Sequence, residues 1–167
     1  LELSSVTILE NSPSNTPIVT VSAFDRDEGR NAEVEYLLED SEGGRFSVGR
    51  IDGVLRSVES LDREERSDYH LSITAVDNGS PSRLSSKVEV VVNVIDMNDN
   101  PPEFLQKKYS ANVFENASLG MDILETSATD SDVDGNGKLR YSIISGDRRG
   151  DFLIDDVSGT IRVAKEL

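Results

Sequence analysis

The chain has 167 residues, too many for one β-sandwich of about 100 residues and too few for two complete ones. Its 32 acidic residues outnumber the 17 basic ones, and the resulting net charge of −15 repels nucleic acid and anionic lipid while favouring cations. There is no cysteine for a disulfide or a soft-metal site, and no apolar run approaches the roughly 18 residues of a membrane-spanning helix.

In chain order the sequence reads as short strands divided by turns. Val19, Val21 and Ala23 alternate with Thr20, Ser22 and Phe24, the period-two pattern of a strand. Asp27-Glu28-Gly29, Glu42-Gly43-Gly44 and Asp52-Gly53 are turn signals. Leu71, Ile73 and Ala75 alternate with Ser72, Thr74 and Val76, and Asn78-Gly79-Ser80-Pro81 ends that strand. Val88, Val90, Val92 and Val94 then alternate with Glu89, Val91, Asn93 and Ile95. No stretch sustains a helical apolar period, and about seven short strands precede residue 96, so a seven-stranded Greek-key sandwich is the expected closure. In Asn98-Asp99-Asn100-Pro101-Pro102 the prolines offer no ladder donors and hold the chain extended, as in a short, stiff linker.

After the linker the pattern starts again. Glu10-Asn11, Asp25-x-Asp27, Asn31 and Tyr36 recur 105 residues later as Glu115-Asn116, Asp130-x-Asp132, Asn136 and Tyr141. Phe46 and Gly53-Val54-Leu55-Arg56 recur at an offset of 106, as Phe152 and Gly159-Thr160-Ile161-Arg162. The expected organisation is all-β, with tandem seven-stranded Greek-key sandwiches. A first repeat covers 1–96, a linker 97–103, and a second repeat, incomplete at its C-terminal end, 104–167. The matched Tyr36, Tyr141, Phe46 and Phe152 are expected in the cores.

The acids gather in short spaced groups: Glu10, Asp25-x-Asp27, Asp62-x-Glu64, Asp77, Asp96-x-x-Asp99 and Asp130-x-Asp132. Clustered carboxylates repel unless a cation joins them, and calcium is the hard ion that takes six to eight oxygens at about 2.3–2.6 Å. With His70 the single histidine and no cysteine, zinc and copper are disfavoured. Asp130-Ser131-Asp132-Val133-Asp134-Gly135 imitates the first half of an EF-hand loop, but its twelfth position is Tyr141 instead of glutamate. A carboxylate-based metallohydrolase would need an open metal position with a base and a pocket, and these acids lie at both ends of the repeats. Arg63 and Glu65, beside the acids, read as solvated surface. Asn78-Gly79-Ser80 and Asn116-Ala117-Ser118 are glycosylation sequons, and Arg149-Gly150-Asp151 reads as a tight turn before Phe152.

Leu61-Asp62-Arg63-Glu64, Ala75-Val76-Asp77-Asn78-Gly79 and Asp96-Met97-Asn98-Asp99-Asn100-Pro101-Pro102-Glu103-Phe104 resemble the signature motifs of cadherin repeats. Asp25-Arg26-Asp27 and Asp130-Ser131-Asp132 are similar to that family's paired aspartates. The resemblance covers essentially the whole chain. It implies about three calcium ions at the junction between the repeats. Their implied ligands are Glu10, Asp62 and Glu64 of the first repeat and Asp96, Asn98 and Asp99 of the linker, with carbonyls from Met97 and Asn100. The second repeat adds Asp130, Asp132 and the Asn136 carbonyl. Asp25, Asp27, Asn31 and Asp77 are the implied ligands towards a preceding repeat, and Glu115 towards a following one. Leu167 matches Leu61, so the given residues hold no second Asp-Arg-Glu and no second counterpart of Asp77, and the ion nearest the second repeat is expected to be held less completely.

The resemblance further implies a non-enzymatic, extracellular portion of a single-pass plasma-membrane protein that binds other cadherins, like or unlike. Neither repeat has the tryptophan that some cadherins exchange, which makes the chain more similar to protocadherins or to the Fat and Dachsous type. Two functions stay open at this point. The repeats could adhere or recognise directly, or they could act as calcium-stiffened spacer in a longer array.

Overall fold

The computed structural model describes residues 4–26 and 32–167, and the chain divides into two compact units, Leu1–Met97 and Asn98–Leu167. The elements among the described residues are strands. Unit 1 contains β1 (Ser4–Leu9), β2 (Pro17–Thr20), β3 (Val34–Leu38), β4 (Phe46–Val48), β5 (Val54–Ser57), β6 (Asp68–Asp77) and β7 (Ser85–Ile95). They form a four-stranded sheet in the order β1-β7-β6-β3 and a three-stranded sheet in the order β2-β5-β4. The chain changes sheet between β1 and β2, β2 and β3, β3 and β4, and β5 and β6, which is Greek-key connectivity. β1 runs parallel to β7, from Ser4 opposite Val90 to Leu9 opposite Ile95, whereas β6 pairs antiparallel with both β7 and β3.

The valine alternation of β7 does what its period predicts. Val90, Val92 and Val94 are buried while Glu89 and Ile95 on the other face stay exposed. From the neighbouring strands come Ile8, Tyr36, Tyr69, Leu71 and Ile73, and from the facing sheet Phe46 and Leu55. The Phe46 ring meets Tyr69 edge-on at 5.0 Å between centroids, which joins the two sheets through an aromatic pair. Full burial of each such aliphatic side chain is worth about 1.5–3 kcal/mol. The strand expected over 19–24 is shorter than its pattern. β2 ends at Thr20 because its partner β5 begins at Val54, and beyond that pair the Val21 amide still reaches across, to the Gly53 carbonyl at 2.9 Å.

Unit 2 contains β8 (Glu103–Phe104), β9 (Asp122–Glu125), β10 (Ala128–Thr129), β11 (Phe152–Ile154) and β12 (Thr160–Val163). Its three-stranded sheet, β11-β12-β9, has the same arrangement as β4-β5-β2 at the repeat offset. Two further details recur. The Tyr36 hydroxyl accepts the Ala23 amide at 2.9 Å, and the Tyr141 hydroxyl accepts that of Ala128 at 3.1 Å. Gly53 and Gly159 both have positive φ, 64° and 71°, and a side chain on either would meet a backbone oxygen, of Val21 at 2.3 Å or of Thr126 at 2.4 Å.

The other sheet of unit 2 does not recur. The matches of β1 and β3 fall at residues 109–114 and 139–143, which are not strands. In unit 1 those strands pair with β7 and β6, whose matches would lie beyond residue 167, so within the given residues the ladders have no partner. The expected core positions Tyr141 and Phe152 are accordingly only half-buried, and Val163 is the one buried apolar side chain of unit 2 among the described residues.

Candidate metal centre

At the end of unit 1 where β1 and β7 finish, an acidic residue is pulled into the sandwich. Ile8 faces the core, so strand alternation turns Glu10 the same way, and the Glu10 amide continues the pairing by donating to the Ile95 carbonyl at 3.0 Å. Glu10 is 1% exposed. A buried carboxylate needs compensation, and here the backbone amides of Arg63 (2.9 Å) and Met97 donate to its two oxygens. Asp62 shapes the adjacent turn: its Oδ1 accepts the amides of Glu64 at 2.8 Å and Glu65 at 3.2 Å. That turn brings Glu64 up to Glu10. Burial, opposed by the residue's own backbone, and then the like charge of Glu10 hold the Glu64 carboxyl above the usual carboxylate range.

The expectation for Arg63 is corrected by the structure. Its side chain is 14% exposed, not solvated, and its guanidinium pairs with Asp96 at 2.6 Å and with Glu64. It follows Asp62 in a turn packed against the end of β7, so the chain carries its own cation into the acidic group. Glu65, with 57% of its side chain exposed, does lie at the surface and pairs there with Arg45. Met97 is exposed.

Unit 2 builds a second acidic group on the loop after β10. The Asp132 amide donates to Asp130 Oδ1 at 3.0 Å, which folds the loop so that Asp132 is 5% exposed. The Asp132 carboxylate accepts from the Asn100 side-chain amide at 2.9 Å, and that same amide nitrogen donates to Asp99 at 2.8 Å. Asp99, Asn100, Asp130 and Asp132 are thus gathered within unit 2. The Asn136 amide donates to the Val133 carbonyl at 3.1 Å, and Asn98 is exposed. Both groups offer hard, anionic oxygens, several of them buried or crowded by like charge, which is the donor chemistry that fits calcium. The residues after Gly135 turn back instead of starting a helix, unlike an EF-hand.

At the other end of unit 1, Asp25 and Asp77 line one recess. Asp77 is buried, its Oδ1 accepting the amides of Gly79 at 3.0 Å and Leu84 at 2.9 Å. Asp27 and Asn31 lie outside the described residues. In unit 2, Glu115 is exposed and borders a recess with Ala164, Lys165, Glu166 and Leu167. His70 is exposed, 3.3 Å from Asp68. Arg149-Gly150-Asp151 is a turn: Gly150 has φ 68° and the Asp151 amide donates to Asp147 at 2.9 Å.

The family model described as Cadherin domain matches residues 4–95 and 109–167. Protocadherin Fat 4 of Mus musculus is 46% identical over 160 residues, 96% of this chain but 3% of that protein's length. Among solved structures, a protocadherin gammaB7 EC3-6 cis-dimer has a TM-score of 0.92 at 28% identity, covering all of this chain and 43% of that one. A mouse cadherin-23 EC22-24 structure has a TM-score of 0.89 at 31% identity, covering all of this chain and 52% of that one. Calcium binding is typical of cadherin domains, which are non-enzymatic adhesion modules in the extracellular part of plasma-membrane proteins. Repeated motifs, a Greek-key sandwich and these matches together establish that the chain belongs to the cadherin family, as extracellular repeats of the protocadherin and Fat type.

Proposed function

We propose that this chain serves calcium-dependent cell–cell adhesion or recognition, with calcium bridging its two repeats. The observation that carries the reading is the meeting of Glu10 and Glu64 in unit 1, two carboxylates crowded at a partly buried strand end, where a divalent cation relieves the repulsion. Glu10, Asp62, Glu64 and Asp96, with Met97, would supply oxygens from the first repeat. Asn98, Asp99, Asn100, Asp130, Asp132 and Asn136 would supply them from the linker and second repeat. About three ions fit that number of donors. An ion held by both repeats converts binding free energy into stiffness of the chain between them. Asp25, Asp27, Asn31, Asp77 and Glu115 would serve neighbouring repeats in the same manner. The partners fitting a protein of this family are other cadherins, and the protocadherin gammaB7 structure is itself described as a cis-dimer.

Calcium titration followed by calorimetry and thermal unfolding tests this, beside Asp99→Ala and Glu10→Gln. The expected result is a calcium-induced rise in melting temperature that both substitutions reduce. A melting curve unmoved by millimolar calcium would refute calcium bridging. Bead aggregation of the chain with and without chelator then tests adhesion separately.

A further inference from the structure

The two sequons differ in what surrounds them. Asn116 and Ser118 are both exposed, in a turn where the Ala117 amide donates to the Phe114 carbonyl at 3.0 Å and the Met121 amide to the Ser118 carbonyl at 3.1 Å. This exposure is not peculiar to the less complete unit. Asn11 holds the matching position in the seven-stranded unit, and it too is exposed beside its buried neighbour Glu10. Its φ of 56° breaks the strand alternation just where the buried acid ends it. The complete sandwich therefore leaves this position open to solvent. Unit 1 has the exposed Pro13 where unit 2 has Ser118, so only the second repeat places a hydroxyl two residues beyond the asparagine.

Asn78 sits differently. It is half-buried between β6 and β7, its Oδ1 accepts from Arg83 Nη2 at 2.8 Å, and the adjoining Asp77 carboxylate ties down the loop through Gly79 and Leu84. A branched sugar on that amide would have to lie across a loop tied down on both sides.

We propose that Asn116, and not Asn78, carries an N-linked glycan. The donor class is a polyprenyl-diphosphate-linked oligosaccharide of the secretory pathway, through which an extracellular cadherin repeat passes. The Asn116 Nδ2 attacks the anomeric carbon, and a C–N bond forms. The anomeric C–O bond to the diphosphate breaks, the lipid diphosphate leaves with the electron pair, and the amide gives up one proton to the transferase. The sugar stands one residue from Glu115, on a side chain whose counterpart in unit 1 faces solvent while that of Glu115 faces inward. The acid thus stays available to a cation, and the outer side of the turn is closed to a protein partner.

The chain, fused to a secretion signal, is expressed in cultured human cells. Glycan removal by an amidase in heavy-oxygen water tags each modified asparagine for peptide mass spectrometry. The expected result is a tag at Asn116 that disappears in Asn116→Gln and Ser118→Ala and persists in Ser118→Thr and Asn78→Gln. Reading the intracellular microsomal pool as well as the medium keeps the test valid for a variant that folds or exports poorly. Absence of the tag at Asn116 in both pools, or a tag at Asn78 in the secreted chain, overturns the proposal.

Discussion

Arg63 Nε lies 2.6 Å from a carboxylate oxygen of Asp96, with only 14% and 10% of the two side chains exposed. The guanidinium also meets Glu64, so it supplies positive charge where a calcium ion is proposed to bind. Arg63→Gln should therefore tighten calcium binding, by about fivefold for ~1 kcal/mol of relieved competition. It should also lower the calcium-free melting temperature by a few degrees, roughly what ~1 kcal/mol does to a domain this small. Calorimetric titration and chelated melts check both. A weaker affinity in the variant would mean that Arg63 positions the acids instead of competing for them.

Gly53→Ala should destabilise unit 1 by roughly 2–4 kcal/mol, because it combines a left-handed backbone with overpacking. The new methyl would stand 2.3 Å from the Val21 carbonyl and 3.1 Å from the Tyr36 ring. Chemical denaturation of the variant measures the loss. Leu55→Ala provides a scale, since emptying that fully buried position costs about 2–5 kcal/mol.

Tyr36→Phe keeps the ring packing and removes the acceptor of the Ala23 amide. The expected loss is about 1 kcal/mol, and hydrogen exchange at Ala23 should quicken while exchange in β6 and β7 changes only with global stability.

Asp147 accepts the amides of Phe152 and Asp151, and these bonds, in that order of importance, hold its carboxyl below the ordinary value of 3.8. A depressed acid stabilises the fold above its unfolded pKa, and the contribution fades as pH falls through the folded one. An NMR titration of the Asp147 carboxyl carbon should have its midpoint below 3.8, with the Phe152 amide shifting along the same curve. Asp147→Asn should abolish that shift.

The strands that sequence pattern located best are those with an unbroken partner. β7 and β6 alternate along their length because each has a neighbour in register throughout. The pattern over 19–24 outran its strand since pairing, not propensity, ends β2. Tyr141 and Phe152 were legible as repeats of Tyr36 and Phe46, but they are only half-buried, because residues 139–143 have no counterpart of the β6 ladder that pairs with β3 in unit 1. The acids Glu10, Asp62, Glu64, Asp130 and Asp132 stood out by spacing. Arg63 did not, because a charge between two acids looks like surface until the end of β7 closes over it. The clue was its place between Asp62 and Glu64, a lone cation inside a group of candidate ligands.

The parallel pairing of β1 with β7 has a mechanical consequence. A pull transmitted along an array enters unit 1 before Ser4 and leaves it after Ile95, at opposite ends of two strands aligned in the same direction. Tension therefore slides the strands past each other and loads the ladder from Ser4–Val90 to Leu9–Ile95 together, whereas an antiparallel hairpin gripped at its open end would unzip one bond at a time. The repeat thus meets a pull along its own chain direction with the shear of a whole ladder at once.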